Sequence, residues 1–218
     1  MMEGLRNAMN LLWLIVLLGA LVGVIPFLFA LVRTIRGKQW PRLRKLVLIP
    51  LLGFGLFLGA NAAVRHFSYR EYLANLFDTK VALGKPVFAY DSERSFNGDG
   101  YSITVYELPD PIRQRFSSAD ERLLSEFPKR PGYRKHWQSE SWRRTPFEAR
   151  FAREVDMALN DLRGGDLKTR FAEVRETLSK EGAYYAFFYK KPGDYVANVD
   201  FYIVDLPGNR LYIINHNT

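Results

Sequence analysis

His66, His136 and His216 are the side chains best suited to move a proton near neutral pH. They stand far apart along the chain, and no nucleophile elbow G-x-S-x-G, S-x-x-K, H-E-x-x-H or phosphate loop accompanies them. His136 and Glu140 are four residues apart, a spacing that on a helix faces an imidazole toward a carboxylate, as a metal or acid–base pair or as an ordinary contact. Asn97-Gly98-Asp99-Gly100 offers oxygen atoms but lacks the alternate spacing and final Glu of a calcium loop, so it reads as a turn. The chain has no Cys, which excludes disulfides, thiolate catalysis and thiolate metal sites. The expectation is a non-catalytic domain without cofactor or metal.

The densest concentration of recognition residues is Arg130 to Arg144, RPGYRKHWQSESWRR. Tyr133, Arg134, Lys135, His136, Trp137, Trp142, Arg143 and Arg144 are its binding candidates, because Arg and aromatic residues anchor interfaces and also suit a lipid headgroup layer. The competing reading is a long connector whose tryptophans pin it to the fold. A second candidate surface is an exposed, tyrosine-bearing sheet face with the C-terminal strand, around Tyr212, Asn215 and His216.

Those residues must be positioned by a chain of two parts. Residues 10–32 and 46–64 are uncharged runs of 23 and 19 residues. At about 1.5 Å per residue each crosses a hydrocarbon core of about 30 Å. The link at 33–45 holds six basic residues and no acid. Residues 1–65 therefore predict a transmembrane helical hairpin with Pro26 in the first helix and Pro50 in the first turn of the second. Basic short loops stay in the cytoplasm, which places the N-terminus and residues 66–218 outside it, in the periplasm of a Gram-negative cell. Gly19 and Gly23, with Gly55 and Gly59, lie at four-residue spacing and suit close helix packing, within one hairpin or in a dimer. Ala60-Asn61-Ala62 also fits a signal-peptidase site, with cleavage after Ala62 as the alternative to a retained second span.

The sequence pI of 9.7 does not point to nucleic acid. Residues 1–65 carry 8 basic side chains and 1 acid, whereas residues 66–218 carry 23 and 22. The excess is a topology signal beside the two apolar runs.

The outer 153 residues predict α+β architecture: an antiparallel sheet of about five strands, ordered ββ, helices, βββ, with a helical hairpin on one face. Residues 66–77 extend the second span as an amphipathic helix. Strands are expected over 86–94 and 100–108, then 183–190, 195–205 and 210–216. Ser118 to Glu121 and Thr145 to Glu148 read as capping boxes, Asp110-Pro111 as a helix start. The stripes Phe147, Phe151, Val155, Leu159, Leu162 and Leu167, Phe171, Val174, Leu178 read as core.

The functional expectation is a membrane-anchored, extracytoplasmic protein-binding domain of immunity or envelope-assembly type. Its partners would be the lipid bilayer and a protein outside the cytoplasm, and not nucleic acid. The alternatives are an envelope hydrolase acting on peptidoglycan, lipid or peptide, and a sensor of lipid headgroups or small ligands.

Overall fold

The computed structural model describes residues 2–93, 95–96, 99–128, 136–159 and 166–218. The chain divides into two compact units, Met1–Arg70 and Glu71–Thr218.

The first unit contains α1 (Met2–Arg36) and most of α2 (Trp40–Phe77). Gly37 and Lys38 turn the chain between them, with Lys38 at φ 51°. Among the described residues, α2 is the one helix long and apolar enough to cross a membrane. Pro50 lies well inside α2 and not in its first turn. The expected boundary followed hydropathy, but Arg42, Arg44 and Lys45 are good helix formers, and Pro41 takes the early position that tolerates a missing N–H. Trp13 meets Phe57 edge-on, with ring centroids 4.5 Å apart. A Cβ added at Gly19, Gly23, Gly55 or Gly59 meets nothing within 4 Å. These glycines are therefore not where α1 and α2 touch within one chain.

The second unit is α+β, with a six-stranded antiparallel sheet. Its strands are β1 (Phe88–Asp91), β2 (Gly100–Glu107), β3 (Gln138–Arg144), β4 (Ala183–Lys190), β5 (Asn198–Asp205) and β6 (Arg210–Asn217). They lie in the order β1-β2-β6-β5-β4-β3, which leaves β1 and β3 as edges. The C-terminal meander matches its sequence pattern. Gly182 and Gly193 supply φ of +102° and +73° at its turns.

β3 is the strand that alternation does not reveal. From Glu140 to Arg143 it advances three residues while β4 advances two, from Phe187 to Tyr185. That is a β-bulge. Trp137 and Trp142 are five residues apart, so strict alternation would point them to opposite faces. The extra residue restores the phase, and both join the same apolar cluster.

Both faces of the sheet are covered. On one, Phe151, Val155 and Leu159 from around α5 (Ala152–Ala158) and Leu167, Phe171, Val174 and Leu178 of α6 (Asp166–Ser179) pack on Tyr185, Phe187, Phe201 and Tyr212. Leu162 lies outside the described residues. On the other, Leu73, Leu76 and Phe77 from the end of α2 join Ile112 and Phe116 of α3 (Asp110–Ser117) and Leu123 of α4 (Glu121–Ser125) over Tyr184, Phe188 and Tyr202. The open tyrosine face expected from the sequence is thus filled: Tyr184, Tyr202 and Tyr212 are 7%, 0% and 5% exposed. The reason is that β4 and β5 are apolar at consecutive positions, which demands a second covering layer.

Two caps also differ from expectation. Asp120, not Ser118, caps α4 by accepting from the Leu123 N–H at 2.8 Å. That bond holds its carboxyl below the usual carboxylate range. Thr145 does not start a helix. Its N–H and hydroxyl both bond to the Ala183 carbonyl, at 3.0 and 3.1 Å, continuing the β3–β4 pairing. The expected capping residue Glu148 is held instead by Arg143 and Arg150, at 2.8 and 2.9 Å.

Trp142 is the keystone of the second cluster. It is 3% exposed, its ring meets Phe77, Phe116 and Phe127, and its indole N–H donates to the Leu76 carbonyl at 2.9 Å. Trp142→Ala is expected to cost about 3–5 kcal/mol, read as a lower denaturation midpoint of the full-length chain. Trp137→Ala, at a half-buried position, is expected to cost far less. Burial also pushes the Tyr185, Tyr189 and Tyr212 hydroxyls above the usual tyrosine range. Folding therefore favours their neutral forms. That stability is complete below a pH of about 10 and is lost as pH rises through the folded-state values. Alkaline melting temperatures should fall as the ultraviolet absorbance of tyrosinate rises.

Candidate functional site

The described fold gathers polar and aromatic side chains in a cleft of about 380 Å³ at one end of the sheet. It is built at the join of five elements. β2 and β6 set Tyr101 directly opposite His216. β1 brings Tyr90, α5 brings Met157, and α6 lays Leu167 and Phe171 over the top. Tyr101 is the centre of the aromatic floor, with ring centroids 5.4 Å from His216, 5.6 Å from Phe171 and 6.4 Å from Tyr90.

The β1–β2 connection forms the polar rim. Ser92 exchanges two bonds with Tyr101: its N–H donates to the Tyr101 carbonyl, and its Oγ accepts the Tyr101 N–H, both at 2.8 Å. Ser95 does the same with Asp99, at 2.9 and 3.0 Å. The two hydroxyl oxygens therefore brace the loop as acceptors, with their O–H protons remaining to donate. They set Glu93 and Asp99 at the cleft, and neither carboxylate has a cation against it among the described residues.

His216 Nδ1 lies 2.6 Å from the Met157 carbonyl oxygen in the last turn of α5. A carbonyl only accepts, so Nδ1 carries the proton and donates. Neutral His216 then presents a lone pair at Nε2, which suits it to accept a hydrogen bond or a proton.

The sequence candidates are distributed differently. Tyr133, Arg134 and Lys135 lie outside the described residues. His136 is exposed, just before β3. It does not form a helical pair with Glu140, because no helix joins them: His136 sits in a turn and Glu140 lies on β3; Glu140 instead accepts from Arg143 at 3.0 Å. Trp137 is half-buried under the Lys190 ammonium, 5.0 Å from its ring. Trp142 is corrected from a contact residue to a core residue, since its ring and its N–H are both spent inside the fold. Arg143 binds Glu140 and Glu148 and sits 5.3 Å over the Phe151 ring. Arg144 is exposed and lies 5.8 Å from the centre of the Tyr184 ring.

His136 and His216 do not meet. The registers His216–Val199, Val199–Tyr189 and Tyr189–Gln138 separate their rows by three strand spacings, about 14 Å. Of the second candidate surface, His216 lines the cleft, Tyr212 is buried, and Asn215 donates to the Asp200 carboxylate on the opposite face. Tyr90, Glu93, Asp99, Tyr101 and Phe171 were not singled out as site residues. The available signal was a hairpin whose first strand and last residue both bear aromatics beside a polar connection.

No family model, curated protein or solved structure matches the chain. The site must be read from its own chemistry. The tautomer argument predicts that, in the neutral imidazole of His216, Nδ1 bears the proton and Nε2 does not. Nitrogen-15 shifts of the histidine side chains would check this, with His216→Gln assigning the signal.

Proposed function

We propose that this chain is a membrane-anchored binding domain displayed outside the cytoplasm. The observation that carries the reading is the apolar window of α2, which has a mean hydropathy of 2.0 and no residue buried in the fold. Val22 and Phe29 of α1 and Leu56 of α2 are 75%, 78% and 76% exposed, surface that water would not leave uncovered over such lengths. In this proposal residues 10–32 and 46–64 span the bilayer and 33–45 face the cytoplasm. Residues 66–218 then meet a protein partner on the outer side, as an immunity-type or envelope-assembly protein would. The open positions at Gly19, Gly23, Gly55 and Gly59 leave room for a second copy in the membrane.

The cleft supports a binding role for the outer domain. An aromatic floor with a few placed polar groups is the usual composition of a ligand site, and both sheet faces are already occupied by helices. An envelope hydrolase is the second reading, favoured by the Nε2 lone pair of His216. Against it, neither serine hydroxyl of the cleft is hydrogen-bonded to His216 among the described residues, as a nucleophile paired with its base would be.

The lack of native Cys makes the topology directly testable. Lys191→Cys is expected to react with a membrane-impermeant maleimide on intact spheroplasts, and Lys38→Cys only after permeabilisation. Labelling of both positions from the same side would overturn the hairpin. A photo-crosslinking residue at position 93 is expected to capture one protein partner in living cells.

A further inference from the structure

The formal charge of the described cleft lining is one-sided. The Ser92 and Ser95 hydroxyl oxygens accept backbone N–H groups of their loop and keep their own protons to donate. Asn217 donates to Asn215 and accepts from Asn198, at 3.1 and 3.3 Å. The Thr218 hydroxyl donates to the Ala197 carbonyl at 2.7 Å. The charged groups that face a ligand are the Glu93 and Asp99 carboxylates, and the neutral His216 imidazole adds its Nε2 lone pair beside them. No lysine or arginine is among the described lining residues. Beneath them lie the Tyr90, Tyr101 and Phe171 rings, whose faces carry negative quadrupole density.

An anionic ligand would be repelled by the two carboxylates, and a neutral one would desolvate them without offsetting their charge. A cation with several N–H groups satisfies the carboxylates by charge-assisted bonds, the imidazole by a neutral one, and the rings through cation–π attraction. The volume of about 380 Å³ is at the small end for ligand sites and fits one side chain better than a large molecule. We infer that the cleft receives a single basic side chain, lysine or arginine, presented by a protein partner. This rests on the binding role proposed above and names the chemistry of its anchor.

The test uses the full-length chain in detergent micelles with carbon-13 at histidine Cε1. Its three histidines give three signals, and His216→Gln assigns the one at the cleft. At fixed pH the protein is titrated with N-acetyl-arginine amide, N-acetyl-lysine amide, the neutral isostere N-acetyl-norleucine amide, N-acetyl-glutamate amide and putrescine. The arginine and lysine probes are expected to shift the His216 signal saturably and leave His66 and His136 in place. They should bind at least about tenfold more tightly than the norleucine probe, the size of one charge-assisted bond. Glu93→Gln combined with Asp99→Asn, both outside the packed core, should remove about that factor.

Equal binding of the norleucine probe, or preference for the glutamate probe, would overturn the cationic class while leaving the cleft as a binding site. Putrescine binding more tightly than either capped residue would overturn the protein side chain as the source and assign a free amine. Silence of the His216 signal toward all five probes would overturn the inference and remove the cleft from the proposed function. The comparison among probes on the unmodified chain stands whether or not the double variant folds.

Discussion

The interior of the second unit depends on one constraint: β4 and β5 have almost no side that tolerates water. Six consecutive residues of β4 and seven of β5 are buried. Such strands must be central, and both sides of them must be roofed. Each remaining element follows from that demand. β6 and β3 flank the pair, α5 and α6 cover one side, and α3, α4 and the last turns of α2 cover the other. The aromatic rings of Tyr185, Phe187 and Phe201, with centroids 5.5 to 6.5 Å apart, form the inner row of the first layer.

Using a helix end as roofing creates a difficulty. The last four carbonyls of a helix have no partners within it, and α2 ends among apolar rings. The indole N–H of Trp142 resolves this for Leu76. One side chain on an edge strand thereby fills the core with its ring and satisfies the helix end with its nitrogen. A phenylalanine would serve the first need and leave the second unmet. The hydroxyl contact of Tyr72 with Tyr202, at 2.6 Å, ties the same helix segment to β5.

How much of this was legible in the chain depended on how regular each segment is. The meander β4–β6, the stripe of α6 and the extension of α2 to Phe77 follow simple periods and were legible, although β5 starts at Asn198, three residues after its expected start at Tyr195. β3 was not, because its bulge breaks the alternation and its arginines resemble a loop or a binding patch. Trp137 and Trp142 looked like contact anchors because their residue type is shared by interfaces and cores, and only the register decides between the two. The covered tyrosine face was hidden for a related reason: Tyr carries a hydroxyl that sequence reading assigns to solvent, yet the Tyr202 hydroxyl bonds within the core and the Glu148 N–H donates to that of Tyr185. The cleft drew on β1, β2, β6, α5 and α6 at once. His216 was noticeable alone, but Tyr101 became its neighbour only through a pairing of residues 115 positions apart, read from the β2–β6 register.

The sheet's two margins have a bearing on behaviour in a crowded solution. An edge strand is an open template for another chain. β1 spans only Phe88–Asp91, too few residues to seed a lasting ladder. β3 is longer, but its bulge breaks the spacing of its outward N–H and C=O groups, and Glu140, Arg143 and Arg144 line it with charge of both signs. The irregularity that concealed this strand in the sequence also deters polymerisation. Each molecule's sheet ends in two poor templates and is a poor nucleus for cross-β growth.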